Sequence, residues 1–179
     1  MNNNHRSEEG KSSGSMKYKV GNKFTSPEMY LEYPDGENGF YQGVIEFYGL
    51  DSRGPSYTGR VFLNNHNADE NTQLNESSGY VGSYYIFGND GCWGDIGHCD
   101  PKIQRNYDSR EHYHVELQYQ FLDATEALRK CVKSKTKFTV TVVPLIKVGQ
   151  AMSDVKDVVK CQRIRATCYE NPAELKKTA

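Results

Sequence analysis

Apolar and polar residues alternate with a period of two along much of this chain, a pattern that predicts β-strands. The alternation is found in segments 39–50, 57–63, 112–121, 138–143 and 164–168. Residues that favour turns (Gly, Pro, Asn and Asp) separate these segments. The sequence therefore predicts an all-β fold, an antiparallel β-sandwich of about seven to nine strands.

Three strands carry specific expectations about burial and length. In segment 112–121 one face is apolar and should be buried, and the other is polar. The apolar face holds Val115, Leu117, Tyr119 and Phe121, and the polar face holds His114, Glu116, Gln118 and Gln120. Residues 80–87 are apolar on both faces, as in a buried central strand. The strand that begins at Phe138 should end at Pro144, which has no N–H to donate.

One short helix is predicted after the strand 112–121. Asp123 stands three residues before Glu126, the spacing of a capping box, so the helix should begin there and run for about two turns. An apolar stripe of this helix would pack on the core, and it holds Ala124, Ala127, Leu128 and Cys131. We expect residues 1–16 to be a disordered tail, residues 17–170 a single domain and residues 171–179 a loose C-terminus.

Composition narrows the classes of function. The chain has 179 residues, room for one domain, and 22 Lys+Arg against 23 Asp+Glu. This balance argues against nucleic-acid binding through bulk charge. We expect no membrane span and no secretory signal, hence a cytoplasmic protein. The cysteines number five, so they cannot all pair within the chain, and in a reducing compartment they would be thiols.

A glycine-rich segment from Gly88 to Pro101 has no regular period and reads as a long loop. Its potential metal ligands are Cys92, Asp95, His98, Cys99 and Asp100. Thiolate, imidazole and carboxylate groups could together hold a metal, although the spacing fits no common zinc pattern. The loop could instead hold structural thiols packed around Trp93, or a Cys92–Cys99 disulfide.

His112 and His114 form a second candidate metal site. Residues i and i+2 of a strand lie on one face about 6.5 Å apart, so both imidazoles could reach one ion. Glu116 is next on that face. The alternative is an ordinary solvated strand face that happens to carry two histidines.

Several segments together resemble a known family. They are Tyr57-Thr58-Gly59-Arg60-Val61-Phe62-Leu63-Asn64-Asn65, Ala68-Asp69, Thr72-Gln73-Leu74, Tyr80-Val81-Gly82-Ser83, Phe87-Gly88, Gly91-Cys92-Trp93-Gly94-Asp95-Ile96-Gly97-His98-Cys99-Asp100, Asp123-Ala124-Thr125-Glu126-Ala127-Leu128-Arg129 and Phe138-Thr139-Val140-Thr141-Val142-Val143-Pro144. In this order they resemble the C-terminal β-sandwich region of bacterial tyrosinase-like proteins, which are type 3 copper proteins related to the haemocyanins. The resemblance spans about residues 40–169, and the Gly-Cys-x-Gly-Asp-x-Gly-His-Cys run is its most specific part.

The resemblance implies an accessory domain rather than an oxidase. Family members hold two coppers with six histidines on a helical bundle, whereas this chain has five histidines and one predicted helix. It also has Asn89 where a histidine commonly follows the family's Phe-Gly pair. A separate tyrosinase-like copper oxidase core is therefore the expected partner, which this domain would dock on, cover or help to metallate. Copper would be bound directly or through the partner.

The working surface is expected at residues 89–100, the longest irregular segment, which carries the lone tryptophan. We expect partner contacts from Asn89, Asp90, Trp93, Asp95 and Ile96. Two other functions remain open. One is a stand-alone metal protein or enzyme that uses Cys92, His98, Cys99, His112 and His114. The other is a sandwich that binds a sugar or a peptide through exposed aromatic side chains.

Overall fold

Eight strands and one α-helix make up the regular structure of a computed structural model that describes residues 18–31, 40–88, 117–147 and 156–170. The strands are β1 (Tyr18–Val20), β2 (Phe24–Thr25), β3 (Gln42–Leu50), β4 (Tyr57–Leu63), β5 (Tyr80–Ile86), β6 (Gln118–Asp123), β7 (Val140–Lys147) and β8 (Arg163–Tyr169). The helix α1 spans Thr125–Ser134, and a short 3-10 turn spans Glu76–Ser78.

The strands form two antiparallel sheets. The larger has five strands in the order β1-β7-β4-β5, with β2 also paired to β7, and the smaller has three in the order β6-β3-β8. The alternate side chains that point between the sheets form one apolar core, as the period-two pattern requires. They include Ile45, Phe47, Tyr57, Val61, Tyr84, Ile86, Val140, Val142 and Ile146. The predicted all-β antiparallel sandwich with one short helix is confirmed.

Strand β7 continues past Pro144, contrary to the prediction that it ends there. Its neighbour on one side changes from β2, which pairs at Thr141 and Val142, to β1, which pairs from Leu145 onward. Pro144 lies between these two pairings, and its carbonyl accepts from Gly21 N at 3.1 Å. The lack of an N–H at Pro144 is therefore tolerated, because this position lies between the part of β7 that pairs with β2 and the part that pairs with β1.

Strand β6 turns its apolar face outward, so the predicted burial of that face is wrong for the residues described. Leu117 is 45% exposed, Tyr119 46% and Phe121 61%. The part of the predicted segment before Leu117 lies outside the described residues.

The glutamines of β6 lie on its half-buried face, where they connect the two sheets. Gln118 Nε2 donates to the carbonyl of Phe87 and Gln120 Nε2 to that of Tyr85, each at 3.4 Å. Strand β5 is the edge of the five-stranded sheet, and β6 is the edge of the three-stranded one. These amides thus satisfy backbone acceptors where two sheet edges meet.

The prediction of a buried central strand at residues 80–87 is also wrong. Among the described strands, β5 pairs only with β4, and in its second half the odd-numbered residues Ser83 and Tyr85 point outward. Phe87, just beyond β5, is 73% exposed, and Tyr85 is exposed as well. Tyr84 and Ile86 fill the core instead. Aromatic residues on both faces therefore mark one buried face and one exposed aromatic face.

Helix α1 covers one end of the sandwich. Asp123 Oδ1 accepts from Thr125 N at 2.9 Å and from Thr125 Oγ1 at 2.7 Å, which satisfies a free N–H at the helix start. Glu126 pairs with Arg129 at 2.7 Å, so the reciprocal half of a capping box is not formed. The helix has 10 residues, nearly three turns rather than two. The predicted apolar stripe packs on the core, with Ala124, Leu128 and Cys131 buried and Ala127 half-buried.

Candidate functional site

Every side chain that the sequence singled out as a site residue lies outside the described residues. This holds for the predicted partner contacts Asn89, Asp90, Trp93, Asp95 and Ile96, and for the predicted metal ligands Cys92, His98, Cys99, His112 and His114. Both sets stay predictions. Two other features of the described chain have the geometry of binding sites: a buried carboxylate beneath aromatic rings, and a cleft beside α1.

The buried carboxylate belongs to Glu46, on the outer face of the three-stranded sheet. Glu46 is only 4% exposed although it points away from the core. Tyr48 donates to its Oε1 at 3.1 Å and Tyr119 donates to the same atom at 2.7 Å. Thr167 Oγ1 donates to Oε2. The donors come from β3, β6 and β8, so one carboxylate joins all three strands of the sheet.

Aromatic rings surround this carboxylate. The Tyr48 and Tyr119 rings are 4.9 Å apart between centroids, and the Phe121 ring is 6.0 Å from that of Tyr119. The Arg163 guanidinium carbon lies 4.5 Å from the centroid of Tyr48. We call Glu46, Tyr48, Tyr119, Phe121 and Arg163 the outer aromatic face.

Hydrogen bonding fixes the charge of the site. Burial alone would raise the pKa of Glu46, but the bonds from Thr167, Tyr119 and Tyr48 outweigh it and hold the pKa below its ordinary value. The bond to Glu46 in turn raises the pKa of the Tyr119 hydroxyl. At neutral pH Glu46 is thus an anion and Tyr119 keeps its proton. This pair is arranged to anchor rings rather than to exchange protons.

A cleft of about 690 Å³ lies between α1 and the adjoining ends of β4 and β5. Leu63, Val81 and Cys131 contribute apolar surface to it. Lys130 and Glu76 form an ion pair at 3.3 Å, and both line the cleft. Its size is that of a small-molecule site. Arg129 and Glu126 form a second ion pair in its lining, Asp123 accepts from Thr125, and these mixed signs select no ligand class.

The described cysteines are unsuited to nucleophilic chemistry. Cys131, Cys161 and Cys168 form no disulfide. Burial raises the pKa of each thiol, that of Cys168 to about 11, so the reactive thiolate is scarce at neutral pH.

The described ranges contain neither a cluster of metal-binding side chains nor a membrane-spanning helix. No group of three or more His, Cys, Asp or Glu side chains there could hold a metal ion. No helix in the same ranges is long and apolar enough to cross a bilayer.

Sequence reasoning missed the Glu46 cluster, although half of its signal was visible. Glu46 interrupts the apolar run of β3, and Tyr48 lies two residues later on the same face. A charged residue inside a strand that is otherwise apolar indicates a partner. The other two donors come from β6 and β8, whose pairing with β3 only the fold reveals.

Comparisons with protein-family models, with curated proteins and with solved structures found no match for this chain.

Proposed function

We propose that this chain is a non-catalytic binding module that docks on a protein partner through exposed side chains at the C-terminal end of β5. The observation that carries the proposal is the exposed aromatic pair Tyr85 and Phe87, whose rings meet edge to face with centroids 4.6 Å apart. Phe87 is among the most exposed large side chains described. Aromatic residues are enriched where protein interfaces form and often supply most of the binding energy.

The position of this pair supports the proposal. Phe87 lies two residues before the segment expected from the sequence to carry the partner contacts, residues 89–100. The hydrogen bond from Gln118 to the carbonyl of Phe87 ties β6 to the same point. The exposed pair and the predicted contacts therefore adjoin one another along the chain, and one partner could use both.

The partner that we propose is a tyrosinase-like copper oxidase core. The resemblance of residues 40–169 to the accessory region of such proteins supports this choice, and so does the chain's total of five histidines, fewer than a dicopper site of that family requires. In this proposal the partner holds the catalytic copper. The accessory chain covers the core or assists its metallation.

Affinity capture from source cells grown with copper tests this proposal. The full chain should recover a histidine-rich, helical copper oxidase, which is then expressed and titrated against variants. Phe87→Ala should raise the Kd at least about tenfold if Phe87 is an interface anchor, and Trp93→Ala should do the same. Tyr30→Ala, an exposed tyrosine elsewhere, is the control. Recovery of no oxidase, or equal binding by Phe87→Ala and wild type, would contradict the proposal.

Direct metal binding by the chain is the alternative that the same preparation tests. A stand-alone metal protein would carry stoichiometric metal after purification and lose it in His98→Ala or His114→Ala. The docking proposal expects the purified chain to carry no stoichiometric metal of its own. Elemental analysis of the pure chain therefore separates the two.

A further inference from the structure

We draw no further inference here: the strongest candidate, the cleft of about 690 Å³ between α1 and the adjoining ends of β4 and β5, carries none because its ion pairs, Lys130 with Glu76 and Arg129 with Glu126, balance one another and nothing else among the described residues of its lining selects a ligand.

Discussion

Two tyrosine pairs occupy this sandwich in opposite ways. In the core, the Tyr57 and Tyr84 rings are buried 6.0 Å apart, and neither hydroxyl makes a hydrogen bond of good geometry within the described part of the chain, although the two hydroxyls lie close enough to shift one another's pKa. On the outer aromatic face, the Tyr48 and Tyr119 rings are partly open to solvent, and both hydroxyls donate to Glu46. The core pair is anchored by its rings, and the surface pair is anchored by its oxygens.

The difference shows what each pair contributes. Burial among apolar groups raises the pKa of Tyr57 to about 12. The ring of Tyr57 therefore contributes packing volume to the core. A ring held by its hydroxyl loses little further freedom when it is contacted, so less binding energy is spent on ordering it. The same residue type therefore stabilises the fold in one region and presents a binding surface in the other.

The largest expected effect compares one substitution on the two sides of the three-stranded sheet. Phe47→Ala removes a fully buried ring that packs on Tyr84 and should cost about 3–5 kcal/mol in free energy of unfolding. Phe121→Ala removes an exposed ring and should change that free energy by at most about 1 kcal/mol. Urea unfolding of both variants measures the difference. Similar losses would show that the outer face is part of the core.

Gly59 gives the Tyr84 ring its place in the core. A Cβ at this position would lie 2.5 Å from the Tyr84 ring, so the ring or the strand must shift. Gly59→Ala should therefore cost about 1–3 kcal/mol through overpacking. Gly54→Ala is the matched control, because a Cβ at Gly54 meets open space. A neutral Gly59→Ala, measured by thermal unfolding, would contradict the tight packing of the core pair.

The surface pair depends on the charge of Glu46. Glu46→Gln keeps one oxygen that accepts hydrogen bonds but replaces the other with an NH2 group, which cannot accept from a hydroxyl. The substitution should lower the free energy of unfolding by about 1–2 kcal/mol near neutral pH. The pKa of Glu46 is lower in the folded state than its ordinary 4.5, so its contribution to stability is complete above that value. The contribution is lost as the pH falls through the folded pKa. Wild type and variant should therefore converge in acid, and a gap independent of pH would contradict the ionised carboxylate.

Leu117 gives the smallest effect. Its exposure in the structure implies that Leu117→Ala changes the free energy of unfolding by no more than about 0.5 kcal/mol. The face assignment read from the sequence would instead require about 2–5 kcal/mol. A chemical denaturation curve distinguishes these values, and a loss in the larger range would restore the original assignment.

The fold class was predictable because period-two alternation is a local signal. It identified β3, β4, β7 and β8 and the two-layer packing that they require. Which way β6 faces was not predictable by the same rule. Its glutamines donate hydrogen bonds to carbonyls at the end of β5. These acceptors come from another part of the chain, so the pattern within residues 112–121 could not reveal them.

The candidate site was only partly visible for the same reason. Glu46 and Tyr48 are two residues apart and can be read from the sequence as one face of a strand. Tyr119 and Thr167 are 73 and 121 residues away from Glu46, respectively. A cluster assembled from three strands requires the strand order and the register, which no local pattern encodes.

The most direct test of the contrast between the two tyrosine pairs is to remove one hydroxyl from each. Tyr119→Phe deletes a 2.7 Å hydrogen bond to a carboxylate and should lower the free energy of unfolding by about 1 kcal/mol. Tyr84→Phe deletes a buried hydroxyl whose contact with the Tyr57 hydroxyl is not a hydrogen bond of good geometry, and should leave that free energy unchanged or raise it. A loss in Tyr84→Phe together with none in Tyr119→Phe would contradict this division of roles.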